Sequence, residues 1–156
     1  MSIEKVREYF RKYGLEDRIS EFPESSATVE LAAAAVGCEP ARIGKTLSFD
    51  LGERTVLVLT AGDAKIDNRK FKDCFGTKAR MLPADKAESI IGHAVGGVCP
   101  FVINEGVDVY LDISIKRFET IFPAAGSGNS AIELNMAELE QHSRPLAWVD
   151  VCKGWK

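Results

Sequence analysis

Long apolar runs are missing from this sequence. No stretch approaches the roughly 18 residues that a membrane-spanning helix needs. Residues 1–12 are charged and carry no apolar signal core. The chain therefore reads as cytoplasmic, with no membrane partner. Histidine is scarce, at two residues, and the four cysteines (Cys38, Cys74, Cys99, Cys152) form no Cys-x-x-Cys pair. That pattern speaks against a structural zinc site, and no metal or cofactor is expected. The cysteines are expected to be reduced, small and mostly buried. Gly-x-Ser-x-Gly, His-Glu-x-x-His and Walker patterns are absent as well. A positive charge excess is also lacking: the net charge is −3. This argues against a generally basic nucleic-acid binder, DNA included.

What is present suits one α+β domain. At 156 residues the chain can bury a proper core. Ile3, Val6, Tyr9, Phe10 and Tyr13 recur at helical spacing, with Gly14 as the stop. Thr28 or Ser26 caps an alanine-rich helix ending at Gly37, whose small residues predict close packing on a sheet. Residues 40–43 form a short turn or a one-turn helix. Residues 45–50 and 54–60 read as a hairpin, and 67–75 as a polar helix stopped by Gly76. A short strand (78–82) and a helix (83–91) follow. Next come a strand over 107–113, an ambiguous stretch over 116–122, and a strand over 130–134. A helix over 136–142, capped by Asn135 and Glu138, precedes a last strand over 146–152. The expected architecture is a mixed, partly barrel-like sheet surrounded by helices.

Two loops and one lysine carry the chemistry. Residues 92–101 (Gly-His-Ala-Val-Gly-Gly-Val-Cys-Pro-Phe) read either as a tight helix-to-strand connection or as a backbone cradle for an anion or oxyanion. Residues 124–128 are a second small-residue loop. Lys45 begins an apolar strand, so it is either a snorkelling strand-end lysine or a cation that binds phosphate or carboxylate in a pocket. His93 is a candidate base that could equally cap a helix or face solvent. Cys99 is a candidate nucleophile with no visible partner to lower its pKa, which favours packing. Six basic and two acidic residues between Lys65 and Arg80 make a local charge of +4, leaving −7 elsewhere. That segment is a solvated helix face or a phosphate-binding one.

These pieces, in this order, resemble the YbaK family of editing domains associated with prolyl-tRNA synthetase, in free-standing form. The resemblance rests on Thr28 with the alanine helix to Gly37, Ile43-Gly44-Lys45-Thr46-Leu47, Val56-Leu57-Val58-Leu59, and Gly62-Asp63. It continues through Gly92-x-x-x-Gly96-Gly97-Val98-x-Pro100-Phe101 and Ala125-Gly126, and covers about residues 2–150. It implies a deacylase that hydrolyses the ester of mischarged tRNA in trans, often tRNA-Pro carrying a small residue. Prolyl-tRNA synthetase is an implied partner. Lys45 then matches the lysine that contacts the terminal adenosine or its phosphate. Gly96, Gly97, Val98 and Cys99 would offer backbone amides to the oxyanion. Thr28, Pro100, Phe101 and Gly126 would line the substrate site, and Lys65, Arg69, Lys70 and Lys72 would meet tRNA. Water would be activated with help from the substrate, through a ribose hydroxyl or a cysteine thiol. The chain departs from the family at Val102, where glycine is common. The small residues at 124–126 leave room for a small side chain without separating alanine, serine, threonine and cysteine. Two other readings compete: a non-catalytic module that binds tRNA or a synthetase, and a small-molecule hydrolase using the same pocket.

Overall fold

Apolar residues three and four apart make the first helix. Ile3, Val6 and Phe10 form the buried face of α1 (Ser2–Arg11). The structure, a computed structural model, describes residues 2–23 and 28–155. Ser26, one of the two expected caps, lies outside them. Thr28 caps α2 (Val29–Val36) by accepting from the Leu31 N–H, and Gly37 ends it at φ 77°. Ala32 and Ala33 bury against Ile43 and Phe122, so the alanine helix does pack on a sheet. Before it, a short strand β1 (Ile19–Glu21) was not legible as a strand.

The hairpin is β2 (Ile43–Asp50) and β3 (Thr55–Ala61). β3 is buried along nearly its whole length, as a continuous apolar run in a central strand should be. After β4 (Lys65–Ile66), Asp67 caps α3 (Asn68–Phe75). Then follow α4 (Ala87–Ile91), β5 (Val107–Asp112), β6 (Thr120–Pro123), β7 (Ser130–Ile132) and β8 (Leu134–Asn135). Asn135 and Glu138 make the expected reciprocal cap on α5 (Met136–Ser143), and β9 (Ala147–Val149) and β10 (Cys152–Lys153) close the chain.

Six strands form a curled mixed sheet in the order β8-β6-β2-β3-β5-β9; β1-β7 and β10-β4 are separate pairs. The fold is α+β. Among the described residues, no helix is long and apolar enough to cross a membrane.

Four expected elements differ. Residues 78–82 are not a strand: they make one bridge, Phe49 to Met81, before Pro83 turns the chain. The 83–91 helix is a 3-10 turn, Ala84–Lys86, followed by α4. The 130–134 strand divides, β7 pairing with β1 and β8 with β6. The 146–152 strand divides too, because the Asp112 carboxylate takes the Val151 N–H at 2.9 Å, leaving β9 on β5 and β10 on β4. The ambiguous 116–122 stretch resolves into the end of a 3-10 helix (Ile113–Arg117) and then β6. Burial of the cysteines is mixed: Cys99 and Cys152 are buried, Cys38 is intermediate and Cys74 exposed.

Candidate active site

The site lies where the sheet forks. On its outer edge β2 pairs with β6 only through Ile43 and Gly44. Farther along, the same strand bonds the segment after α3: Asp50 N–H to Arg80 O at 2.8 Å and Leu82 N–H to Ser48 O at 3.0 Å. Between them Lys45, Thr46 and Leu47 have no strand partner on that edge among the described residues. A cavity of about 440 Å³ opens at this gap. Its wall is mostly apolar, including Ala32, Ile43, Leu47, Phe122 and Ala124, and Lys45 is its one ionisable residue among those described.

Lys45 is half-buried, and its Nζ donates to the Ala64 carbonyl at 2.5 Å. An ammonium has three N–H bonds, so two remain for a ligand. Burial lowers its pKa, partly offset by Cys152 and Asp63. The carbonyl that receives it is braced in turn. Arg117 grips Asp63 through two bonds, at 2.5 and 2.9 Å, while its guanidinium stacks on Phe118 and Trp155.

The glycine loop leaves α4 through Gly92, at φ 102°. Gly92 O accepts from Lys5 Nζ at 2.7 Å and Ser2 Oγ at 3.2 Å, tying the loop's start to α1. His93 ties its two ends together, with Nε2 2.7 Å from the Phe101 carbonyl. This histidine is fully buried, so it neither faces solvent nor caps a helix, and burial lowers its pKa. Cys99 is equally buried, 3.5 Å from His93 Nε2, and its thiol is pushed up to about 12. Such a thiol is no nucleophile.

The two small-residue loops touch backbone to backbone. A Cβ on Gly97 would sit 2.7 Å from Ser127 Cα and 2.8 Å from Gly126 O. A Cβ on Gly126, at φ 100°, would meet the backbone of Ser2 at 2.8 Å. These glycines allow three segments to stack.

Of the expected site residues, Thr28, Lys45, Gly96 and Val98 line the one cavity. Thr28 both caps α2 and faces the cavity. The other expected loop residues, Gly97, Cys99, Pro100, Phe101 and Gly126, are not part of its lining. The Gly97 N–H is used in a turn, donating to Ala94 O at 3.0 Å, so it is not free to act as an oxyanion donor. Phe101, expected to bind substrate, is a core residue instead, its ring 5.1 Å from that of Phe10. Pro100 is buried, and Pro100 and Gly126 shape the loops from outside the lining. Lys70, expected to meet tRNA, turns to Asp150 and the Cys152 carbonyl, both at 3.0 Å. Lys65 is exposed on β4, and Arg69 and Lys72 line a separate groove.

Sequence reasoning missed Thr46. It lines the cavity, and its Oγ1 is buried with no hydrogen-bond partner among the described residues. Strand alternation places Thr46 and Lys45 on opposite faces. Both reach the cavity because the strand edge there is open, which no local pattern announces. Ser127 and Ser130, also on the wall, bond to each other at 2.8 Å.

Comparison with known proteins gives three kinds of match. The sequence profile of the aminoacyl-tRNA editing domain matches residues 23–141. YwhH of Bacillus subtilis (strain 168), itself uncharacterized, is 50% identical over 157 aligned residues spanning all of both chains. The proline--tRNA ligase of Lysinibacillus sphaericus (strain C3-41) is 31% identical over 90 residues, which make up 57% of this chain and 16% of the ligase. A solved structure described as a candidate trans-editing enzyme for prolyl tRNA synthetase superposes with a TM-score of 0.87 at 26% identity, covering 98% of each chain.

Proposed function

The chain belongs to the aminoacyl-tRNA editing domain family, and from that premise we propose that it hydrolyses the ester of tRNA carrying a wrong, small amino acid, tRNA-Pro first among the candidates. The observation that carries this reading is the cavity at the open edge of β2. There Lys45, Gly96 and Val98 face apolar walls, with no carboxylate, imidazole or thiol among the described lining residues. Such a site can position an ester and stabilise an oxyanion by backbone N–H groups. Among the described lining residues, none is suited to act as a general base. The substrate supplies that help: its free ribose hydroxyl orients and deprotonates the attacking water while the ester oxygen leaves as the other hydroxyl. Water adds to the carbonyl, the oxyanion collapses, and the proton passes to the departing ribose oxygen. Lys45 holds the terminal nucleotide. The similarity to proline--tRNA ligases and to the trans-editing structure supports tRNA-Pro as the carrier and makes prolyl-tRNA synthetase the candidate partner.

The test is deacylation of tRNA-Pro charged separately with alanine, cysteine, serine, threonine and proline. One non-cognate ester should be lost quickly and the prolyl ester spared. Lys45→Ala should slow the reaction about a hundredfold or more, as loss of a positioning electrostatic group does, with the melting temperature little changed. Full activity in Lys45→Ala overturns the role given to that residue. No hydrolysis of any ester, with tRNA still bound, leaves a non-catalytic binding module.

A further inference from the structure

Where the segment that borders the cavity leaves α3 lies an open groove of about 630 Å³, lined by Asn68, Arg69, Lys72, Asp73, Lys78 and Ala79. We propose that this groove holds backbone phosphates of the unpaired 3′ end of a tRNA whose terminal ester occupies the cavity; the placement of the ester rests on the function proposed above.

The groove's charge has no internal use. Phe71 turns α3 toward the core, its ring 4.7 Å from Phe49, and this leaves Arg69 and Lys72 on the exposed side. Arg7, Arg11, Arg18, Arg42, Arg54 and Arg117 each pair with a carboxylate. Arg69, Lys72 and Lys78 make no ion pair among the described residues. Asp73 is the one acid on the wall, so three cations face one anion and the groove is +2. The amides that begin α3 are not part of the site, because the Asp67 carboxylate already takes the Arg69 and Lys70 N–H groups. Binding there would be by side-chain cations, which suits a flexible polyanion.

Its position relative to the cavity is fixed. Lys78 and Ala79 line the groove, and Met81 and Leu82 line the cavity. Four residue steps separate Lys78 from Leu82, a reach of at most about 14 Å. The Asp50–Arg80 and Ser48–Leu82 bonds pin that segment to β2. A few unpaired nucleotides bridge such a distance, so a terminal ester in the cavity places preceding phosphates over the three cations. Met81, 55% exposed on the cavity wall, offers an apolar surface for an intervening base.

The test is equilibrium binding of uncharged tRNA-Pro by the full chain over a range of salt concentrations, so that it does not depend on catalysis. The Arg69→Ala/Lys72→Ala/Lys78→Ala variant should bind at least tenfold more weakly. The slope of log K against log salt should flatten by about 2, the share of three phosphate contacts on a single strand. Asp73→Asn should move affinity the other way, tightening it severalfold. Opposite shifts from neighbouring substitutions cannot come from general unfolding. An unchanged affinity and slope in the triple variant overturn the groove. If wild-type protein hydrolyses no ester yet the binding shifts are as expected, the groove stands and the deacylase reading fails.

Discussion

Val102 holds a β-branched side chain at φ 53°, a left-handed conformation that costs an L-residue about 1–2 kcal/mol. It is also partly buried against the core. Replacing it with glycine removes the strain but loses packing and adds unfolded-state entropy of about 0.5–1 kcal/mol. Val102→Gly should therefore destabilise by less than about 1 kcal/mol in denaturant titration, although deletion of a half-buried valine side chain at relaxed φ usually costs more. The neighbouring glycines separate in the same way. Gly96 is at φ 93°, and a Cβ placed there would have its nearest heavy atom 3.9 Å away, so Gly96→Ala meets strain but no collision. Gly97→Ala collides with the backbone of Ser127 and Gly126. It should lower the melting temperature, with a cost of about 1–3 kcal/mol, and disturb the second loop. The resemblance implied a catalytic amide at both positions; the geometry makes one of them a spacer. That difference was not legible, because the contact joins residues about thirty apart in sequence.

At the scale of elements, starts and stops were legible where a side chain caps its own backbone. Thr28 and the Asn135–Glu138 pair begin helices, and Gly37 and Gly76 end them at φ 77°. These are local interactions, so local sequence contains them. Strand limits were not legible where a distant partner sets them. Asp112 decides where β9 ends, and β1 exists only because β7 lies beside it. The glycine loop belongs to the second kind. Its glycines mark a turn, but the bond from His93 to the Phe101 carbonyl gives the loop its closed form. His93 is thus a positioning residue. Its Nδ1 is buried without a partner among the described residues, so Nε2 carries the proton it donates. His93→Leu should lower kcat about tenfold or more, with KM for the aminoacyl-tRNA much less affected. His93→Gln, which can still donate to the carbonyl, should recover much of kcat. Equal losses in both variants, following a common fall in melting temperature, would reduce His93 to a core residue.

At the scale of the molecule, the cavity depends on β2 exchanging one neighbour for another along its length. Lys45 announced a strand-borne cation, and the two loops announced close backbone approach. Only the assembled sheet brings them to one opening, and it leaves the basic groove at one end of residues 78–82 and the cavity at the other. The same assembly buries both histidines. His93 lies under the loop, and His142 sits among Tyr9, Phe10 and Tyr13, with Nδ1 3.0 Å from the Tyr9 hydroxyl. Burial lowers both pKa values. Below about pH 6.5 the unfolded chain therefore takes up protons that the folded chain resists. Stability is at its full value above that pH and is lost as pH falls toward the lowered folded values. Asp63 and Glu138 also have lowered pKa values, but as carboxylates they act in a more acidic range. Denaturant midpoints measured from pH 7.5 to 5 should fall in wild type and fall less in His93→Gln. They should be nearly flat in His93→Gln/His142→Gln. A slope unchanged in the double variant would place the acid sensitivity on groups other than the two buried imidazoles.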